Sequence, residues 1–384
     1  GPGSIAEAIE AAARAKGMRL VGPCSVGLIA PHARLNASVS AHQPLPGDLA
    51  LVSQSGAVAA GLVEWGVSRS IGFSGVVSLG ESLDVDFGDM LDYFATDHRT
   101  RAILLYVESI RDARKFMSAA RIAARSKPVV VVKSGRHVPA TGELGTHVAA
   151  LASADAVYDA AFRRAGLLRV RALDELFAAA ETMGRLRAFS GRRLAILTNG
   201  GGVGGLAADS LLDLGGTLAT LSPETRSKLE VLLPAAWSQD NPVDILRDAD
   251  EARYSAAVEA LLEDANSDAL LVVNVPTALS SSTEAALALT HAVERQPRNA
   301  RHKPVFAVWL GEEASATEAL AQVHIPNYRS EADAIRGFMH LVRHGEAQAA
   351  LMETPPSLPE DFAVDAAAAQ ALVAQVLAQG RRWL

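Results

Sequence analysis

Residues 49–58 read LALVSQSGAV and residues 194–203 read LAILTNGGGV. The second stretch restates the first at a displacement of 145 positions, Leu49 to Leu194: an apolar run, a few small polar residues, then a helix-forming segment. Another echo is Lys127-Pro128 and Lys303-Pro304, each leading into an apolar run. The interval far exceeds the ~20–50 residues of solenoid units, so it predicts two related domains rather than an array. A chain of 384 residues has room for two or three cores.

Around the repeated junctions, apolar strands alternate with helical stretches of ten or more residues. Strands are expected at 49–52, 75–80, 102–107 and 128–133, with helices from 57, at 88–96 and at 111–125. In the second half the series is 194–197, a helix from 203, 269–275, a helix at 281–295, and 303–308. Runs such as VVVV (129–132) carry no period of two, as expected for strands buried on both faces. The fold class predicted is α/β, with two flavodoxin-like open parallel-sheet domains in tandem.

Residues 5–17 read as a helix closed by Gly17 and 19–21 as a strand. Residues 155–188 read as a helical bridge, and an Ala-rich helix over 361–379 follows the Pro-rich 355–359. Gly1-Pro2-Gly3-Ser4 reads as a scar of tag removal. The expected layout is a remnant of a preceding domain at 1–30, domains at 31–188 and 189–350, and a linker helix at 351–384 leading toward a further unit.

Composition narrows the function. A net charge of −7 offers no basic footprint and argues against nucleic acid. No apolar run reaches the ~20 residues of a membrane helix. A single cysteine, Cys24, excludes an intrachain disulfide and suits a cytoplasmic protein.

The chemistry concentrates at the two repeated junctions, Ser53-Gln54-Ser55-Gly56 and Asn199-Gly200-Gly201-Gly202. A helix amino terminus presents unpaired N–H groups and a partial positive charge, and glycines let an anion approach closely. These eight residues are the candidate phosphate binders. Neither junction is a Walker A loop, because no Gly-Lys-Ser/Thr follows. His147 lies in a polar stretch, PATGELGTHVAALASAD, where an imidazole could act as a nucleophile near neutral pH. Glu108 follows directly on the strand 102–107, at the carboxyl edge where open α/β sheets bind ligands, and could orient a histidine. Asp84, Asp86 and Asp89 read as caps of the next helix, and no metal-ligand spacing occurs.

Several segments are similar to a known family. GPCSVGLIAPHARLNAS, VSQSGAVA, DVDFGDMLDYFATDHRTRAILLYVESIRDARKFMSAARIAARSKPVVVVKSGR, ALASADAVYDAAFRRAG, LAILTNGGGVGGLAADSLLDLGG and DNPVDI resemble, in order, the ADP-forming acyl-CoA synthetases related to succinyl-CoA synthetase. The resemblance implies a carboxylic acid, coenzyme A, phosphate, ATP/ADP and Mg²⁺ as reactants, with an acyl phosphate on the way to acyl-CoA. It makes His147 the phosphoryl carrier, Glu108 its orienter, and the two glycine-bearing helix ends its cradle. It also implies CoA-binding and ATP-grasp domains outside this chain, so that the 384 residues alone hold no cofactor tightly and are inactive. Homo-oligomer formation stays open. Thr-His-Val-Ala stands where the family usually has Ser-His-Thr-Gly, Gly-Pro-Cys-Ser where Gly-Pro-Asn-Cys is usual, and Glu81-Ser82 replaces a Gly-Asn type of turn. The loss of a loop glycine implies a stiffer histidine segment. LSPETRSKLEVLLPAAWSQDNPVDIL also resembles a synthetase-like region fused to GNAT-type lysine acetyltransferases, which implies a ligand-sensing module as the alternative.

Overall fold

The apolar runs do become strands buried on both faces. In β3 (Pro46–Ser53), residues 49–53 are all buried, and every residue of β4 (Phe73–Ser78) is buried as well. The computed structural model describes residues 4–68, 71–136, 155–186, 189, 191–296, 303–311, 314–353 and 365–379.

The first sheet adds β5 (Ala102–Val107), β6 (Val129–Lys133) and β7 (Leu168–Val170) to β3 and β4. Its parallel part runs β4-β3-β5-β6-β7, the 2-1-3-4-5 order of flavodoxin-like sheets. Beyond β4 lie two strands that the sequence reading missed: β1 (Gly27–Ala30), antiparallel to β4, and β2 (Leu35–Ser38), antiparallel to β1.

The second sheet repeats the order with β8 (Arg193–Thr198), β9 (Thr217–Leu218), β10 (Val243–Asp244), β11 (Ala269–Asn274), β12 (Val305–Trp309) and β13 (Asn327–Tyr328), all parallel. Its edge position beside β8 is shared. β9 pairs with Arg193 and Leu194, and β10 with Leu197 and Thr198. The side chain of Asn241 stitches the gap: Oδ1 accepts from Ile196 N at 2.9 Å, and Nδ2 donates to Leu194 O at 3.0 Å and Ala219 O at 2.8 Å. A buried amide thus supplies the ladder bonds that a missing strand residue would have made.

Helices α2 (Gly56–Ser68) and α6 (Leu173–Arg185) cover one face of the first sheet, and α7 (Gly201–Asp213) and α12 (Glu331–Met352) one face of the second. Leu62 and Phe177 from the first pair share a single apolar cluster with Leu211 and Phe338 from the second, so the two halves are joined by a continuous core. The opposite face of each sheet has its own cluster. Truncating a fully buried ring such as Phe338 would cost about 3–5 kcal/mol.

The paired lysines have a common job. Lys127 Nζ donates to the carbonyls of Phe94 (2.7 Å) and Asp97, closing the carboxyl end of α3 (Phe87–Thr96). Lys303 Nζ does the same for α9 (Glu251–Glu263), donating to Leu261 O at 2.9 Å and to Asp264 O. Cations at these ends satisfy orphan carbonyls and complement the helix dipole. Asp86 caps α3 in a reciprocal capping box with Asp89, as read from the sequence, whereas Asp84, read as a third cap, instead accepts from Arg19 Nε and Leu20 N.

Two expectations change. Residues 155–188 are not one helical bridge: α5 (Asp155–Arg164) and α6 are separated by β7, which joins the sheet as its fifth strand. Residues 19–21 form no strand and are held by a loop instead. Leu20 N donates to Asp84 Oδ2 at 2.8 Å, and Val85 N to Leu20 O at 3.1 Å. Residues 352–384 form a separate unit, containing α13 (Ala366–Ala378), no residue of which is buried.

Candidate functional site

Both junctions are built alike. Where β3 ends, Ser53 Oγ donates to Ser55 O at 2.8 Å, folding the chain back before α2. Gln54 is 5% exposed, and its Oε1 accepts from Glu108 N at 2.7 Å and Ser109 N at 2.9 Å. Ser55 Oγ accepts from Val58 N at 3.3 Å as a helix cap. The N–H groups of Ser55, Gly56 and Ala57 then have no acceptor among the described residues. Gly56 is required by packing: a Cβ there would lie 2.3 Å from Val26 Cγ1.

At the end of β8, Thr198 takes the place of Ser53, and Gly200 N donates to its Oγ1 at 3.0 Å. Asn199 is 2% exposed; its Oδ1 accepts from Val275 N at 2.7 Å and its Nδ2 donates to Val275 O at 2.9 Å. Gly200 O receives Val203 N and Gly204 N, while the amides of Gly201 and Gly202 lack an acceptor among the described residues. A Cβ on Gly200 would meet Val275 Cγ2 at 2.8 Å, and one on Gly201 would meet Asp244 Oδ2 at 2.6 Å, but Gly202 faces open space. Each turn therefore presents free main-chain donors at a helix amino terminus, the arrangement that favours an anion. The side chains of Gln54 and Asn199 brace their turns to the chain leaving a neighbouring parallel strand, so any anion is met mainly by main-chain amides.

Glu108 stands at the exit of β5, 9% exposed, with its own N–H held by Gln54. On the adjacent strand, Lys133 pairs in register with Val107. It is 3% exposed, donates to Ser134 O, and lies 4.8 Å from the centre of the Tyr158 ring. Burial pulls its pKa below the usual lysine range, against the attraction of Asp155. The sequence reading passed over Lys133; its signal was a cation ending an otherwise apolar run. Asp244, within DNPVDI, was also given no role, and it stands against the first turn of α7 through Gly201. His147 lies outside the described residues.

Cys24 Sγ lies 3.5 Å from Glu81 Oε1, on the loop that crosses the same edge of the first sheet. The hydrogen bond to Glu81, with that carboxylate's charge, raises the thiol's pKa and keeps it protonated. Among the described residues no helix is long and apolar enough to cross a membrane.

Two flavodoxin-order sheets, each with an anion-ready turn after its first parallel strand, define a tandem α/β module of the CoA-ligase type. Residues 46–183 match the succinyl-CoA ligase like flavodoxin domain, and residues 194–336 match the Ligase-CoA domain. The chain is 38% identical over 344 residues to acetate–CoA ligase [ADP-forming] I of Archaeoglobus fulgidus, covering 89% of this chain and 48% of that protein. To the alpha subunit of acetate–CoA ligase [ADP-forming] I of Pyrococcus furiosus it is 34% identical, covering 86% of this chain and 71% of that subunit. Among solved structures, the dinucleotide forming acetyl-coenzyme A synthetase 1 of Ca. Korarchaeum cryptofilum superposes with a TM-score of 0.78 at 30% identity, over 92% of this chain and 76% of that one; it has also been solved in complex with phosphate and ADP. The chain belongs to the ADP-forming acyl-CoA synthetases of the succinyl-CoA synthetase superfamily. It spans about half the length of the Archaeoglobus relative.

Proposed function

We propose that this chain is the central part of an acid–thiol ligase that makes acyl-CoA from a carboxylic acid, coenzyme A and a nucleoside triphosphate, through a phosphohistidine at His147. The observation that carries the reading is the pair of amide-braced turns, one per sheet, whose N–H groups at Ser55, Gly56, Ala57, Gly201 and Gly202 have no acceptor among the described residues. Val58 and Val203, two residues past Gly56 and Gly201, pack against the same apolar cluster, which supports both helix ends serving one centre. The Korarchaeum enzyme's complex with phosphate and ADP supports the same chemistry here.

In this reading the neutral imidazole of His147 attacks the phosphorus of an acyl phosphate; the P–O bond to the acyl group breaks and the carboxylate leaves. In the synthetic direction His147 takes the γ-phosphoryl group of the nucleoside triphosphate and releases the diphosphate. The carboxylate then takes that group from the ring to give the acyl phosphate, and the CoA thiolate attacks the acyl carbon and releases inorganic phosphate. Glu108 holds the proton of the other ring nitrogen and fixes the tautomer. The main-chain amides, with the positive ends of α2 and α7, offset the phosphoryl charge at no cost of reorganisation. The proposed layout keeps 31–188 and 189–350 as the two α/β domains, with 1–30 and 351–384 leading to a CoA-binding and an ATP-grasp domain. Coenzyme A and the Mg²⁺-nucleotide would bind largely there.

The test is phosphoryl labelling. The full-length parent, incubated with acyl-CoA, radiolabelled phosphate and Mg²⁺, is expected to carry acid-labile, base-stable phosphate that His147→Ala abolishes and Glu108→Gln reduces at least tenfold. Equal labelling of His147→Ala and the parent defeats the assignment.

A further inference from the structure

At the amino edge of the first sheet lies a cavity of about 730 Å³ whose wall comes from both halves of the chain. Asp48 and Arg101 flank the starts of β3 and β5, and Trp65 and Phe177 come from α2 and α6. Arg329 follows β13, and His340 comes from α12. Gln54 and Glu108 stand at the opposite, carboxyl edge, roughly 20 Å away, six residues along the strand from Asp48 and seven from Arg101. On the second sheet Arg329 is three strand spacings from β8, roughly 14 Å. The cavity is therefore separate from both phosphate turns.

Its charges are mostly spent internally. Arg101 binds Asp48 through two bonds, 2.6 and 3.1 Å, and Arg336 pairs with Asp333. Glu175 accepts from Arg171 N at 2.9 Å. Arg329 is exposed, and its guanidinium has neither an ion pair nor a hydrogen bond among the described residues; the carboxylate of Asp174, also exposed, is likewise unpaired there. Trp65, half-buried, stacks on the buried Phe177 with ring centres 3.9 Å apart, so the flat apolar part of the wall is the Trp65 ring. His340 is 3% exposed, and its Nδ1 has no hydrogen-bond partner among the described residues. An orphaned buried nitrogen is costly, and it marks a place where a polar partner is wanted.

We infer that this cavity binds a small anion carrying a flat ring, with the ring against Trp65, the anionic group on Arg329, and a polar ring substituent within reach of His340 or Asp174. The volume suits a ligand of that size, and the wall is about half polar, so a ligand with both an apolar ring and polar groups matches it. A guanidinium with free donors selects carboxylate or phosphate. Because the walls come from both halves, occupancy ties the setting of one half to the other, and a ligand here acts as an effector rather than a reactant. The inference is independent of His147 and of phosphoryl transfer.

An aromatic carboxylate and a nucleoside monophosphate share this chemistry, so calorimetric titrations of the 384-residue chain with 4-hydroxybenzoate and with AMP separate the two sources. At least one is expected to saturate with a dissociation constant below about 1 mM and to raise the thermal midpoint. Arg329→Glu, at an exposed position, is expected to weaken that binding about tenfold or more. Acetate and inorganic phosphate, which lack a ring, are expected not to saturate in the same range. Saturation by neither ringed probe, binding unchanged in Arg329→Glu, or equal binding of the ringless anions would each overturn the inference.

Discussion

Gln54 and Asn199, separated by the same 145 positions as the repeated motifs, make the same connection in the two halves. Each is the first residue after the first parallel strand of its sheet (β3 or β8), each is almost fully buried, and each ties its turn to the backbone leaving a neighbouring parallel strand, β5 or β11. The longer amide of Gln54 spans two successive N–H groups, Glu108 and Ser109. The shorter Asn199 takes both the N–H and the carbonyl of Val275.

Removing a brace strands main-chain groups without water. Asn199→Ala leaves Val275 N and O unpaired and is expected to destabilise the chain by about 2–6 kcal/mol, at roughly 1–3 for each orphaned group. Asn199→Asp, which keeps the acceptor and loses the donor, should fall between. Urea unfolding followed by circular dichroism measures both; a loss under 0.5 kcal/mol for the alanine variant would refute the brace.

The glycines of the second turn differ in what surrounds them. Gly201→Ala drives a methyl into Asp244 Oδ2 and is expected to cost about 1–3 kcal/mol. Gly202→Ala enters open space and should stay within about 0.5 kcal/mol of the parent. Thermal midpoints of the two variants, side by side, check the contrast.

Asn241 makes three buried hydrogen bonds across the gap between β9 and β10. Asn241→Ala should therefore be among the most damaging single changes in the second half, about 3 kcal/mol or more. Hydrogen exchange at Ile196 reports it locally, since that amide loses its acceptor.

His340 gives stability a pH dependence. Burial, with Arg343 and Arg336 adding to it, lowers its pKa from 6.5 to about 4. The folded chain therefore holds the ring neutral while the unfolded chain protonates it below 6.5. Its contribution is fully present above that value and is lost as pH falls from 6.5 toward 4, by up to about 3 kcal/mol. Burial also lowers the pKa of His344, which acts in the same direction. Unfolding free energies at pH 7 and pH 5 should differ less in His340→Gln than in the parent.

Much of this was legible in the sequence because a buried parallel strand running into a helix leaves a strong local signature. The 145-residue echo located both turns, and Asp86 with Asp89 announced the start of α3. What escaped were strands too short to show a period, such as Thr217–Leu218 and Val243–Asp244, and Leu168–Val170, hidden in a stretch rich in helix formers. Gln54 and Asn199 were found as members of phosphate turns, but the use of their side chains was not readable, because their partners lie 54 and 76 positions on. Lys133 and Asp244 were missed for the same reason: proximity to Glu108 and Gly201 exists only once the sheets are assembled.

The lysine caps of α3 and α9 have a chemical corollary. The chain's lysines are Lys16, Lys115, Lys127, Lys133, Lys228 and Lys303, and all but Lys16 have their ammonium groups hydrogen-bonded to a carboxylate or a carbonyl. Acyl thioesters and acyl phosphates modify free, unprotonated amines, whereas arginine is inert to them under the same conditions. A scaffold with most of its positive charge in arginine and most of its few amines fastened into helix ends and ion pairs presents little free amine to such reagents.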